Sequence, residues 1–112
     1  MKLNAKSCTS CTASSPAVES DAIASLLNEI PGWQVNKIDN IMQLSREFQF
    51  GDFKQALAFT LLVGDLAEHE GHHPEIVTTW GKVRINWWTH SIQGLHLNDF
   101  ICAAKTDHLL QN

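Results

Sequence analysis

From Phe53 to about Glu70 apolar side chains return at helical spacing, and this run constrains the fold more than any other part of the chain. Phe53, Ala56, Leu57, Thr60, Val63, Gly64 and Ala67 fall on one stripe, which Phe59, Leu62 and Leu66 widen. Gly51-Asp52 precedes it, and Asp52 is a good N-cap because its carboxylate can accept from a free amide of the first turn. Gly71 weakens the helix, and Pro74 forbids its continuation by biasing the preceding residue away from the α region. His72 and His73 therefore fall where the helix gives out. A long helix with an apolar stripe needs a second layer to cover it.

The flanking segments supply that layer. Before the helix, Trp33, Val35 and Lys37 alternate as a short strand, and Asp39-Asn40 is a turn pair. Ile41 to Phe50 forms a longer strand with Met42, Leu44, Arg46, Phe48 and Phe50 on one side. After it, Glu75 to Trp80 and Lys82 to His90 make a second hairpin around Gly81. Val83, Ile85, Trp87 and Thr89 share one face there, and Arg84, Asn86, Trp88 and His90 share the other. An earlier helix is signalled by Ser20 or Asp21 and by Ile23, Leu26, Leu27 and Ile30, and Pro31-Gly32 stops it. A closing helix follows Gly94, capped by Asn98 or Asp99, with Phe100, Ile101, Ala103, Ala104 and Leu109 or Leu110 apolar. The expected fold is α+β in the order α-β-β-α-β-β-α. It has a four-stranded antiparallel sheet with the helices packed on one face.

Composition removes several functional classes. The 112 residues carry a net charge of −4, so there is no basic footprint for nucleic acid as a primary ligand. No apolar run approaches the length of a membrane span, and no apolar segment follows Lys2 and Lys6 as a secretory signal requires. The compartment expected is the cytoplasm, and no membrane partner is expected. Residues 1–17 are small, polar and unpatterned, which reads as a flexible N-terminal tail ahead of a single domain over 18–112. Cys8 and Cys11 form a C-x-x-C within that tail, but no further paired ligands stand at zinc-finger spacing. Cys102 falls in an apolar helical pattern and is expected to be a small core residue.

Chemistry concentrates in Glu68-His69-Glu70-Gly71-His72-His73-Pro74. Three readings compete. A helix C-terminus favours a cationic imidazole, which accounts for one histidine but not for a cluster. His69-Glu70-Gly71-His72-His73 satisfies H-E-x-x-H, the zinc-binding pattern with two histidines four apart. That pattern needs one continuous helical face, which Gly71 and Pro74 interrupt. The third reading is general acid–base catalysis on a small molecule, since an unperturbed imidazole titrates near pH 6.5. Histidines from two elements, His72 or His73 with His90, could flank a flat ligand, with Trp33, Trp80 and Trp88 as an aromatic wall. Core packing is the alternative for each tryptophan, and the choice for Trp87.

Glu68-x-x-x-His72-His73-Pro74, then five residues to Trp80, nine to His90 and eight to Asp99, resembles the signature of the pterin-4a-carbinolamine dehydratases. Pro31-Gly32-Trp33, Asp52-Phe53, Thr89-His90 and Gly94-Leu95 extend the resemblance over about residues 20 to 110. It implies the same α-β-β-α-β-β-α fold and a lyase without cofactor or metal. The reaction implied removes water from 4a-hydroxytetrahydropterin to give the quinonoid dihydropterin, as recycling of tetrahydrobiopterin for aromatic amino acid hydroxylases requires. Carried over residue by residue, His72, His73 and His90 are the catalytic histidines. Glu68, Trp33, Pro74 and Asp99 support or line the pterin pocket, an N-cap role being equally open for Asp99. Gly71 departs from the acidic or amide residue often found before the paired histidines. The resemblance also implies a homodimer or homotetramer. It carries an alternative role as well, since animal members act as dimerisation cofactors, or coactivators, of a homeodomain transcription factor.

Overall fold

The computed structural model describes residues 3–9 and 17–111. Its elements are α1 (Ser20–Leu27), β1 (Gln34–Ile38), β2 (Ile41–Gln49), α2 (Phe53–Glu70), β3 (Glu75–Thr79), β4 (Lys82–Trp87) and α3 (Leu97–His108). The expected α-β-β-α-β-β-α order and four-stranded antiparallel sheet are present. The strand order is β1-β2-β4-β3, so the two hairpins join through β2 and β4.

Local chemistry accounts for the joints. Asp39 and Asn40 both sit at positive φ (51° and 67°) between the paired Ile38 and Ile41. This is the two-residue turn whose twist matches a hairpin. Asp52 caps α2 by accepting from the Gln55 amide at 2.8 Å. On the helix side of the sheet, Leu44, Phe48, Val83, Ile85 and Trp87 are buried against Ala56, Phe59, Val63 and Ala67 of α2 and Phe100, Ile101 and Ala103 of α3. The stripe on α2 is narrower than its sequence pattern. Phe53, Leu57 and Leu62 lie on the outward side with Leu61, which is 70% exposed. Helical periodicity marks apolar positions without saying which of two neighbouring faces meets the sheet.

Three boundaries differ from the sequence expectation. β4 ends at Trp87, and His90–Ile92 forms a 3-10 turn instead of strand. α3 begins at Leu97 and is capped by His96, not by Asn98 or Asp99. Residues 3–9, read from composition as part of a solvated tail, pack on α3, with Leu3 buried in the core. Cys11, the second cysteine of the C-x-x-C, lies outside the described residues.

Candidate active site

The antiparallel register brings the histidines together. Glu75 of β3 pairs with Asn86 of β4, so the residues entering β3 run beside those leaving β4. Extending that register places His72 abreast of Thr89 and His73 near Trp88. Gly71 makes the approach by ending α2 in the left-handed region (φ 65°, ψ 28°), and the His72 amide donates back to the Ala67 carbonyl at 3.1 Å. Thr89 bridges Gly94 across a tight loop that displays His90 and Ser91, and Gln93 turns it at φ 49°.

His72 is the most constrained imidazole. Its Nε2 lies 2.6 Å from Asp99 Oδ1, and its ring stacks on Trp87 at 5.6 Å and 7°. Asp99 has no exposed surface. Its Oδ2 accepts from the Thr89 hydroxyl at 2.8 Å and from the His96 amide at 2.9 Å. The second bond is half of a capping box, whose other half is the Asn98 amide donating to His96 Nδ1. In the tautomer with its proton on Nε2, His72 donates to Oδ1 and keeps the Nδ1 lone pair free. Asp99 is thus not the N-cap itself: it closes the capping box from the third position of α3 while its other oxygen meets His72.

His73 is paired differently. Its Nε2 lies 2.5 Å from Glu68 Oε2, and both side chains are largely exposed. His90 is exposed too and leans on the Trp88 ring at 4.6 Å between centroids. His72, His73 and His90 all line one cavity of about 340 Å³, open to solvent. That volume falls within the range of small-molecule sites.

Cys8, Thr9 and Asn98 line the same cavity beside Glu70, a wall of the site that sequence reasoning missed. Glu70 Oε1 accepts from the Cys8 amide at 2.9 Å, and Oε2 pairs with the Lys105 ammonium at 2.7 Å. Burial acts to raise the Glu70 carboxyl, but the Cys8 amide and Lys105 outweigh it and hold it below its usual value. The Thr9 amide donates to Asn98 Oδ1, and Asn98 Nδ2 donates to the Thr9 carbonyl. No signal in the chain announces this wall, because unpatterned polar residues do not say where they dock. The H-E-x-x-H geometry does not form. α2 ends at Glu70, so His69 and His73 share no helical face, and Glu70 is engaged by Lys105 and the Cys8 amide.

Other expected site residues stand apart. Trp33 is buried at the opposite end of α3, where its Nε1–H donates to Asp107 Oδ1 at 2.9 Å and its ring meets Phe48 edge-on. Arg46 shares that carboxylate at 2.7 Å, and a side chain at Gly32 would collide with its guanidinium, so Pro31-Gly32-Trp33 is a packing motif here. Trp80 occupies the β3–β4 turn, 68% exposed, at the far end of the hairpin from His72. Pro74 is half-buried and ends the paired histidines without lining the cavity, and Glu68 holds His73 from outside it.

The family model for pterin 4 alpha carbinolamine dehydratase matches residues 16–109. The chain belongs to that family. A Syntrophotalea carbinolica protein, provisionally named as a pterin-4-alpha-carbinolamine dehydratase, is 50% identical over 110 residues, 98% of each chain. The crystal structure of a transcriptional coactivator/pterin dehydratase from Brucella melitensis superposes with a TM-score of 0.76 at 29% identity. It covers 84% of this chain and 98% of that one. A pterin dehydratase-like protein identified as a RuBisCO assembly factor in the alpha-carboxysome follows with a TM-score of 0.59 at 25% identity, covering 70% of this chain and 88% of that one. The Cys8–Thr9 wall lies outside the range matched by the family model.

Proposed function

We propose that the chain dehydrates a 4a-hydroxytetrahydropterin to the quinonoid dihydropterin by histidine acid–base catalysis. The observation that carries this reading is the convergence of His72, His73 and His90 on one cavity, with His72 backed by the buried Asp99. The elimination takes a proton from ring nitrogen N5, breaks the C4a–O bond and delivers a proton to the departing oxygen, so that water leaves. His72 Nδ1 suits the base in the tautomer whose Nε2 donates to Asp99. His90, in contact with solvent, suits the acid, and His73, braced by Glu68, orients the pterin. Recycling of tetrahydrobiopterin beside an aromatic amino acid hydroxylase, in the cytoplasm, is the setting that fits this activity.

The test is stopped-flow dehydration of freshly generated 4a-hydroxytetrahydropterin. Each of His72→Ala and His90→Ala is expected to lose most of the catalysed rate, within the roughly 10²–10⁴-fold that a positioned acid or base supplies. Wild-type rates in both variants, with folding intact, would overturn the assignment.

A second reading is favoured by one surface. Phe53, Leu57 and Leu61 recur every fourth residue along the outer side of α2, all of them exposed. A second copy of the chain covering this row gives the homodimer or homotetramer expected of the family. The same row is where a protein-binding role, of the kind named for the coactivator and assembly-factor relatives, would act. Light scattering on wild type and Leu61→Glu separates the two. Self-association lost in the variant supports the copy, whereas a monomeric wild type leaves the row for another protein.

A further inference from the structure

Two thiols that take no part in the proposed dehydration meet beside the histidine cavity. Cys8 Sγ lies 3.3 Å from Cys102 Sγ, although the residues are 94 positions apart. Both are free cysteines. Cys8 is half-buried with its residue on the cavity wall, and Cys102 is fully buried on α3. Each is brought there by independent contacts. The bond to Glu70, the paired bonds between Thr9 and Asn98 and the buried Leu3 hold the segment 3–9 in place. The apolar face of α3 holds Cys102.

We propose that Cys8 and Cys102 form a reversible disulfide that latches residues 3–9 onto α3 and so fixes one wall of the cavity. Cys8 reacts first, because its residue is half-buried on the cavity wall whereas Cys102 is fully buried. The hydrogen bond with Cys8, together with burial, pushes the Cys102 thiol far above its usual range, so Cys102 is the resolving partner. With glutathione disulfide as oxidant, Cys8 sulfur attacks one glutathione sulfur, its proton leaves, and one glutathione thiol is released. Cys102 then loses its proton and attacks Cys8 Sγ, expelling the second glutathione. The two protein thiols give up two electrons and two protons, and glutathione disulfide becomes two thiols. In the reduced chain the wall is held by hydrogen bonds and the burial of Leu3; in the oxidised chain it is held covalently.

The test incubates the full chain with glutathione disulfide or with dithiothreitol and maps non-reduced proteolytic fragments by mass spectrometry. The expected product is a Cys8–Cys102 cross-link with loss of two hydrogens. It is accompanied by a rise in Tm of about 5 °C or more, since the link closes a long loop of the unfolded chain. Cys102→Ala is expected to keep glutathione on Cys8 and to show no such rise; if it does not fold, Cys8→Ser must likewise lose both the cross-link and the rise. A Cys8–Cys11 link as the sole product, glutathione retained on Cys8 of the wild type, or no change in mass would each overturn the proposal.

Discussion

Asp99 Oδ1 stands 2.6 Å from His72 Nε2, while Asp99 Oδ2 receives the Thr89 hydroxyl and the His96 amide. One buried carboxylate therefore completes the capping box at the start of α3, ties down the loop that carries His90, and holds the His72 ring. A single side chain couples the placement of two histidines that come from different parts of the chain.

Asp99→Asn tests that coupling. The two donors at Oδ2 claim the amide oxygen, which turns the NH₂ group toward His72 Nε2. The ring then carries its proton on Nδ1 and loses its base. We expect kcat to fall by about 10²-fold or more, with little change in KM. Steady-state kinetics with circular dichroism as a folding control would reveal it, and an unchanged kcat in a folded variant would count against the dyad.

The His73–Glu68 pair should behave otherwise. Both side chains are solvated, and exposed ion pairs contribute little. Glu68→Gln is expected to lower kcat/KM by less than about 10-fold and to leave Tm unchanged. A loss as large as that of Asp99→Asn would mean that Glu68 reaches the substrate.

Trp33→Phe separates a packing role from a pterin-contacting one. The change removes the donor to Asp107 and keeps most of the buried ring, at an expected cost of about 1 kcal/mol by chemical denaturation. KM for the pterin should not move, because Trp33 lies away from the histidine cavity. A raised KM at unaltered stability would reinstate Trp33 as a substrate contact.

Glu70 predicts a pH dependence of stability. Its folded carboxyl is held below the ordinary value of 4.5. A depressed acid contributes fully above its unfolded value, and the contribution disappears as pH falls from there through the folded one. Urea titrations of the wild type should therefore steepen their decline below about pH 4.5. Glu70→Gln should start lower near neutrality, since Lys105 loses its counter-charge, and lack that added decline. Parallel curves for the two proteins would contradict it.

Gly71 completes the set. At φ 65° a β-branched side chain is strained, whereas Asn tolerates the left-handed region. Gly71→Val is expected to cost about 1–2 kcal/mol. Gly71→Asn should cost less and place its amide in open space beside the cavity.

The sheet, its hairpins and the long helix were readable because each rests on a local period or a turn pair. Asp39-Asn40 and Asp52 act on residues within four positions of themselves. The broken helix end at Gly71 was readable for the same reason. Which tryptophans lie beside the histidines was only partly readable. Trp87 was expected in the core and is buried there, but only the β3–β4 register stacks it under His72 and leaves Trp80 at the other end of the hairpin.

By itself the chain of residues determined the α+β order, the helix stop before the paired histidines and the spaced motif that marks the family. Those properties depend on backbone preferences and on periodic burial, which neighbouring residues decide among themselves. Only the tertiary structure decided that Asp99 is the partner of His72, that Glu70 is bound by Lys105 and the Cys8 amide, and that Cys8 meets Cys102. Those contacts span 27 to 94 positions. They exist because strand pairing and helix packing bring distant backbones together, and no local pattern records which side chains will face each other when they do.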